Sequence, residues 1–281
     1  VYKRQFYIIL LIVFLASCEQ TPYENLDYQL VWSDEFNSDD LQSNWNHEIG
    51  DGCEYGIQFW GNFEKQYYLE ENAYINDTVL VIKSQLTNFT YDDCFGNTQT
   101  AKAFSARINS ENKFDFTYGK VEASIKMDRA QGLWHAFWML PTNPVLPWPI
   151  SGEIDVLEYY RNSNGDNIVH NVHFKGPQAG YSNFIGAPYN IDNTNSFFNN
   201  FHTYILEWDQ ANIRCFVDGI QTLHVKKDDH IELQNNWPFD EPFYLIFNTA
   251  IGGNLGGDIN FFGDKEMKVD YVRVYQKTLP Q

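Results

Sequence analysis

The sequence predicts an all-β domain built as a sandwich of two antiparallel sheets. Short runs rich in β-branched and aromatic residues recur along the chain, each bounded by Gly, Asn, Asp or Pro. Residues 213–217 and 220–225 flank Asp218-Gly219, a two-residue turn that supplies positive φ, so this pair predicts a hairpin. No amphipathic run is long enough for a major helix, which argues against a parallel sheet with crossover helices.

The other predicted strands follow the same pattern from the front of the chain to its end. They cover residues 28–36, 78–86, 104–110, 118–127, 133–140, 153–160, 168–174, 201–208, 243–251 and 267–276. Three longer segments between strands, 51–61, 141–151 and 176–200, are predicted to be loops. A many-stranded sandwich can bend one sheet into a cleft, and these loops would form its walls.

The first residues resemble an export signal. Lys3 and Arg4 supply a positive start, and residues 6–15 form an apolar run too short to span a bilayer comfortably. The run ends in Leu-Ala-Ser before Cys18, which looks like the box where bacterial lipoprotein signals are cut and the new terminal cysteine is acylated. A plain secretion signal or a short membrane anchor is the alternative.

We therefore expect three regions. Residues 1–18 are predicted to be a lipoprotein signal peptide, 19–27 a polar tether and 28–278 a single folded domain. The predicted location is the bacterial cell envelope, at the outer membrane or the cell surface. Contact with the membrane would run only through the lipid on Cys18, and we expect a monomer.

The charge of the chain limits its partners. The formal net charge is -18, which should repel nucleic acid and sulfated polysaccharides and favours a neutral partner. Aromatic residues make up 17% of the chain, so some are available to stack on sugar rings. The alternative is that the strands of a β-sandwich simply use Tyr and Phe for packing.

The remaining cysteines predict one disulfide and one thiol. Cys53 and Cys94 both lie in Gly- and Asp-rich loops, and we pair them because a disulfide persists outside the cytoplasm. Cys215 alternates with apolar neighbours and is predicted to be a small buried thiol. No cysteine or histidine spacing suggests zinc.

The densest chemistry lies in one strand. Alternation puts Glu153 and Asp155 on the same face but leaves Glu158 on the other. One extra residue, a β-bulge at Val156-Leu157, would return Glu158 to the acidic face. Three carboxyl groups on one face repel one another, so at least one pKa should be raised, as a general acid working near neutral pH requires. A solvated acidic edge strand is the alternative.

Here the chain resembles glycoside hydrolase family 16, whose signature is Glu, an apolar residue, Asp, one or two apolar residues, then Glu. Further matching segments are 30–36 (LVWSDEF), 60–68 (WGNFEKQYY), 105–108 (SARI), 118–123 (YGKVEA), 132–141 (GLWHAFWMLP) and 269–275 (VDYVRVY). Together they resemble the laminarinase branch, the endo-1,3-β-glucanases. The resemblance implies a β-jelly-roll with a cleft on its concave face and a retaining mechanism. Glu153 would be the nucleophile, Glu158 the acid and then the base, and Asp155 the group that orients the nucleophile.

Three tryptophans are candidates for sugar contacts. Trp134 and Trp138 are four residues apart in a strand and therefore share a face, where they would form a stacking floor unless both pack in the core. Trp148, in a Pro-rich loop, would be a rim contact or would only pack its loop. The chain departs from the family twice: His135 stands where Pro is frequent, and Leu255 where Trp is frequent.

Polar candidates come from the resemblance. Asn62, Glu64 and Arg107 match positions that contact glucose hydroxyls in similar enzymes, although each alone would more often be a surface group or a structural ion pair. His173 matches a histidine near the cleavage point, and a satisfied structural histidine is the alternative.

The resemblance also implies a structural calcium ion on the convex face, for which Glu35 and Asp270 match the acidic ligands. A plain surface pair is the alternative, because calcium takes several oxygen ligands. No cofactor is expected for catalysis.

The predicted activity is hydrolysis of a neutral β-1,3-glucan, with mixed β-1,3-1,4-glucan as a further substrate. Three alternatives stay open: hydrolysis of an algal galactan, transfer of the sugar to another sugar, and a non-catalytic glycan-binding lipoprotein.

Overall fold

The computed structural model describes residues 28–38, 40–142, 144–162, 165–176, 182–189, 191 and 195–277. The predicted signal peptide, the lipidation site Cys18 and the tether lie outside the described residues. Within the described ranges, no helix has both the length and the apolar character needed to cross a membrane.

Strands dominate the described chain. They are β1 Tyr28–Asp34, β2 Asn46–Glu48, β3 Gln66–Tyr68, β4 Ala73–Asn76, β5 Val79–Asp92, β6 Thr98–Ser105, β7 Arg107–Asn109, β8 Asp115–Phe116, β9 Gly119–Met127, β10 Leu133–Pro141, β11 Glu153–Asn162, β12 Gly165–Lys175, β13 Ser182–Tyr189, β14 His202–Trp208, β15 Asn212–Val217, β16 Ile220–Lys226, β17 Phe243–Ile251 and β18 Lys265–Lys277. The α-helices are the short segments α1 Asn195–Phe198, α2 Ile231–Asn235 and α3 Gly253–Gly256. Short 3₁₀ helices cover Leu41–Ser43, Cys53–Tyr55, Gln58–Gly61, Glu70–Asn72 and Lys227–Asp229.

The strands form two sheets. The first has the order β16-β15-β14-β9-β18-β5-β6-β3, with β1 added on β18 and β4 on β5. The second has the order β13-β12-β11-β10-β17-β7-β2, with β8 added on β17. The pairs are antiparallel apart from β3 with β6. This architecture confirms the predicted all-β jelly-roll sandwich.

Side-chain alternation along β10 shows how the second sheet separates the core from the cleft. Leu133, Phe137 and Met139 point into the core and are fully buried. The Phe137 ring stacks on Phe247 of β17 with the ring centroids 4.5 Å apart. Trp134 and Trp138 alternate with these residues and therefore lie on the opposite, concave face.

The predicted strands and the hairpin are largely confirmed, with two corrections. Residues 104–110 do not form one strand, because the chain changes sheets at Ala106, between β6 and β7. The predicted loop 176–200 contains β13, an edge strand whose Gly186 and Pro188 suggested a loop in the sequence. An edge strand tolerates proline because one of its sides has no ladder partner.

A disulfide fixes one wall of the cleft. Cys53 and Cys94 are joined, which ties the 51–61 loop to the turn between β5 and β6. Gln58 of the same loop donates a hydrogen bond of 2.8 Å to Asp93 in that turn. Cys215 is a buried free thiol, as predicted.

Candidate active site

A β-bulge brings the acidic residues of β11 to one face of the sheet. Asp155 pairs with Asn171 of β12, whereas Glu158 pairs with Val169, so three steps along β11 match two along β12. The extra residue lies at Val156, where the register with β10 also shifts. The predicted bulge is therefore confirmed.

The bulge places the apolar and the acidic side chains of β11 on opposite faces of the sheet. Ile154, Val156 and Leu157 are fully buried in the core between the sheets. Glu153, Asp155 and Glu158 instead line a cleft of about 880 Å³ on the concave face. Trp134, Trp138, Trp148, Asn62, Glu64, Arg107 and His173, which are the other residues that the sequence assigns to the site, line the same cleft.

A buried histidine holds the bulge. His170 is fully buried, and its Nδ1 lies 2.7 Å from the carbonyl oxygen of Val156. A carbonyl can only accept, so Nδ1 carries the proton and donates to it. Burial lowers the pKa of His170 to about 4, so the ring is neutral at ordinary pH. The sequence pointed to His173 and not to His170, because a buried contact to a backbone oxygen leaves no mark in a motif.

Glu153 and Asp155 are crowded together. Trp148 donates a hydrogen bond of 2.6 Å from Nε1 to Oε2 of Glu153. The His173 Nε2 lies 3.2 Å from Oδ2 of Asp155. One ligand atom from each of Glu153, Asp155 and His173 lies within 4.8 Å of the others. Burial raises the pKa of both carboxyl groups, and the negative charge of neighbouring carboxylates raises it further.

Glu158 is held by two donors. Trp134 donates from Nε1 to Oε1 at 3.0 Å, and Asn171 donates from Nδ2 to Oε2 at 2.5 Å. Burial raises the pKa of Glu158, while the hydrogen bonds from Asn171 and Trp134 oppose the rise. A carboxyl group with a raised pKa and a fixed orientation suits a general acid.

A glycine on β13 makes room for this arrangement. Gly186 lies opposite Asn171, and a Cβ atom added there would stand 2.0 Å from the Asn171 Oδ1. Any larger residue would push the Asn171 amide away from Glu158. Neither Gly186 nor Asn171 was identified from the sequence, because their roles depend on pairing between distant strands.

The tryptophan floor is oriented by polar neighbours. Trp138 donates from Nε1 to Oδ1 of Asn248 on β17 at 2.7 Å. Arg107 lies with its guanidinium carbon 4.8 Å from the Trp138 ring centroid and 4.5 Å from that of Trp60. Its Nε donates to Glu48 in a partly buried ion pair. Arg107 therefore helps to place two indole rings as well as lining the cleft.

Glu64 is an almost fully buried acid at the same end of the cleft. It accepts hydrogen bonds from Gln66 at 2.5 Å and from Asn62 at 3.3 Å. Burial raises the pKa of Glu64 to about 7, although these hydrogen bonds and the charge of Arg107 lower it. Glu64 thus titrates near neutral pH in the folded protein.

This shift predicts a pH-dependent loss of stability. Because the pKa of Glu64 is higher in the folded state than its ordinary value of 4.5, its stabilising contribution is present below pH 4.5 and lost as the pH rises through 7. Glu64→Gln should therefore raise the free energy of unfolding at pH 8 by up to roughly 3 kcal/mol and change it little at pH 4.5. Urea unfolding at both pH values measures this, with the exposed Glu71→Gln as a control. An equal effect of Glu64→Gln at both pH values would contradict the assignment.

A family model described as "Glycosyl hydrolases family 16" matches residues 58–273. The chain belongs to this family. The matched segment lies inside the predicted domain 28–278 and includes all three carboxylates of β11.

Similar proteins and solved structures match this chain over most of its length. The laminarinase catalytic domain from Thermotoga maritima superposes with a TM-score of 0.80 at 37% identity, covering 90% of this chain and 100% of that one. The "Beta-glucanase" of Rhodothermus marinus is 32% identical over 89% of this chain and 85% of its own. The "Glucan endo-1,3-beta-glucosidase A1" of Niallia circulans is 36% identical over 88% of this chain. The match spans only 38% of the Niallia protein's length.

The two departures from the family pattern have different consequences. His135 is fully buried, with Nδ1 2.8 Å from Thr249 Oγ1 and Nε2 3.0 Å from the carbonyl oxygen of Asp128. His135 is therefore a structural residue on the side of β10 that faces the core. Leu255, in α3, lines the cleft in place of an aromatic ring.

Glu35, one of the two acids expected to bind calcium, forms an ion pair with an arginine. Both carboxylate oxygens of Glu35 accept hydrogen bonds from Arg273, at 2.8 and 2.7 Å. This ion pair neutralises the charge that a cation would need, and Asp270 is an exposed residue. Among the described residues, the group with metal-ligand chemistry is Glu153, Asp155 and His173, where Trp148 already donates to Glu153.

Proposed function

We propose that this chain is a retaining endo-1,3-β-glucanase of family 16. One observation carries the proposal: a single bulge gathers Glu153, Asp155 and Glu158 on the floor of an open cleft beside two tryptophan rings. Two carboxyl groups with separate environments are what glycosidic bond cleavage requires, and aromatic faces suit neutral sugar rings.

Glu153 attacks the anomeric carbon and forms a covalent glycosyl intermediate. The hydrogen bond from Trp148 stabilises negative charge on Glu153. Asp155, on the same face of the strand, orients Glu153 for this attack. His173, next to Asp155, limits how that carboxyl group can turn.

Glu158 serves first as the acid and then as the base. Held by Trp134 and Asn171, it gives its proton to the leaving oxygen as the glycosidic bond breaks. The ionised Glu158 then accepts a proton from water, which attacks the intermediate and restores Glu153. Two displacements at one carbon leave its configuration unchanged. A second sugar in place of water would give transfer.

The shape and charge of the cleft support a long, neutral substrate. Its lining includes residues of β13, β12, β11, β10, β17 and β7, which are neighbours in one sheet. At about 4.8 Å per strand, this row spans about 24 Å, enough for several sugars on both sides of the carboxylates. The net charge of -18 disfavours sulfated chains.

The proposal is tested on four polysaccharides. The protein is incubated with laminarin, lichenan, agarose and carrageenan, and reducing ends and product sizes are followed over time. Rapid release of mixed short oligosaccharides from laminarin is the expected result, and cleavage of lichenan would add mixed-linkage glucan. Cleavage of a galactan alone would overturn the substrate, and inactivity of the folded protein on all four would overturn the enzymatic proposal.

Asn171→Ala should shift the pH profile of this reaction. The amide of Asn171 stabilises the ionised form of Glu158, so its loss raises the pKa of the acid. Glu158 must be protonated to act, so the alkaline limb of kcat/KM should move to higher pH while the value at the optimum falls. Initial rates on laminarin from pH 4 to 10 measure both effects, and a lowered rate with an unmoved alkaline limb would contradict this role for Asn171.

A further inference from the structure

One exposed aromatic ring lies on the flank of the cleft formed by β12 and β13. Phe184 of β13 is 61% exposed and lines the cleft. It pairs with His173 of β12, which in turn pairs with Glu153 of β11. Phe184 thus lies two strands from the nucleophile, at about 10 Å by strand spacing.

Phe184 is the last of three neighbouring rings, and the first of them, Trp148, contacts the nucleophile Glu153. Trp148, which donates to Glu153, has its ring centroid 6.2 Å from that of His173. The His173 centroid lies 5.8 Å from that of Phe184. His173 is itself fixed by a contact of 3.1 Å between its Nδ1 and the Ser182 Oγ. The row leads away from Trp134 and Trp138, which flank the carboxylates on the other side.

Among the described residues of β12 and β13 that line the cleft, Phe184 is the one large apolar ring. Its described neighbours there are Asn167, Val169, Asn171, His173, Gly186, Ala187 and Pro188. The Phe184 ring is therefore accessible to a ligand in the cleft. An exposed phenyl ring inside a cleft offers an apolar face on which a sugar ring can stack.

We propose that Phe184 is a sugar-stacking platform that fixes how the glucan chain is placed on the β13 side of the scissile bond. The ring covers the apolar face of a glucosyl unit beyond the one next to the cleaved bond. Together with the tryptophan floor it holds the chain on both sides of Glu153 and Glu158. This inference rests on the proposed function and adds a specific subsite to it.

The test measures where a defined oligosaccharide is cut. Laminarihexaose is labelled at its reducing end with oxygen-18, and mass spectrometry gives the proportion of cleavage at each bond. Phe184→Ala should move the preferred cut and lower kcat/KM about tenfold, and Phe184→Trp should restore both. Phe262→Ala is the matched control, because that ring is 87% exposed and does not line the cleft.

An unchanged cleavage pattern and kcat/KM in Phe184→Ala would overturn the subsite. Calorimetry separates this result from failure of the proposed function, by comparing laminarihexaose binding to Glu153→Gln with and without Phe184→Ala. Weaker binding in the double variant would support the subsite even if the wild-type protein did not hydrolyse the sugar. Equal binding, or none in either protein, would overturn it.

Discussion

Glu153→Gln is expected to lower kcat/KM on laminarin by at least about 10⁴-fold without unfolding the protein. Glutamine has the same shape and can still accept the hydrogen bond from Trp148, but its amide cannot form the glycosyl intermediate. Rates from reducing-end release and the unfolding temperature of the same sample measure the two effects.

The stability of this variant is part of the expectation. Burial and the neighbouring carboxylates raise the folded-state pKa of Glu153, so the wild-type protein loses stability as the pH rises through that pKa. A neutral side chain removes this loss, and the variant should be at least as stable as wild type at pH 8. Glu71→Gln, an exposed acid outside the cleft, is the control. Activity above a tenth of wild type would show that Glu153 is not the nucleophile.

Glu158→Ala is expected to have an effect that depends on the leaving group. On laminarin, kcat should fall by about 10³ to 10⁴-fold, because the sugar oxygen leaves without a proton. A dinitrophenyl glycoside of laminaribiose needs no acid, so its first step should be nearly unaffected and a burst of dinitrophenol should precede slow turnover.

Azide provides the decisive part of this second test. The space left by the Glu158 side chain admits a small anion, which can attack the intermediate on Glu153 without base assistance. The expected product is the β-glycosyl azide, with turnover restored as azide is added. An α-glycosyl azide would instead indicate a direct displacement, and no rescue with equal losses on both substrates would remove Glu158 from the acid and base role.

The β-bulge in β11 illustrates which features of the site can be predicted from the sequence of one strand. Glu153 and Asp155 fix the acidic face by alternation, and the wrong parity of Glu158 requires one inserted residue, which the structure has at Val156. Trp134 and Trp138 share a face for the same reason. These features follow from local periodicity, so they could be predicted without knowing which strands are neighbours.

Residues that support the site could not be predicted in this way. Asn171, Asn248 and Glu48 act by reaching across to a partner on another strand, and their effect depends on sheet order and register. Local patterns carry little information about such long-range pairing. The same limit explains why β13 was predicted to be a loop. Gly186 and Pro188 are typical of loops, but here they belong to an edge strand, in which Gly186 makes room for Asn171.

Calcium binding by Glu35 and Asp270 stays a prediction, and the sequence could not show the surroundings of these acids. The motif around Glu35 and Asp270 shows acids that a family member could use as ligands, but it does not show that Arg273 reaches Glu35. The bidentate ion pair satisfies both oxygens of that carboxylate. Charge compensation at a given acid is a property of the assembled sheet.

The anomeric form of the first product tests the central claim most directly. Proton NMR during the early hydrolysis of laminarin by the full chain distinguishes the two anomers before they interconvert. Attack by Glu153 followed by water predicts that the new reducing ends appear first as the β-anomer. Initial appearance of the α-anomer would contradict a covalent intermediate on Glu153, and with it the account of how the bulged strand works.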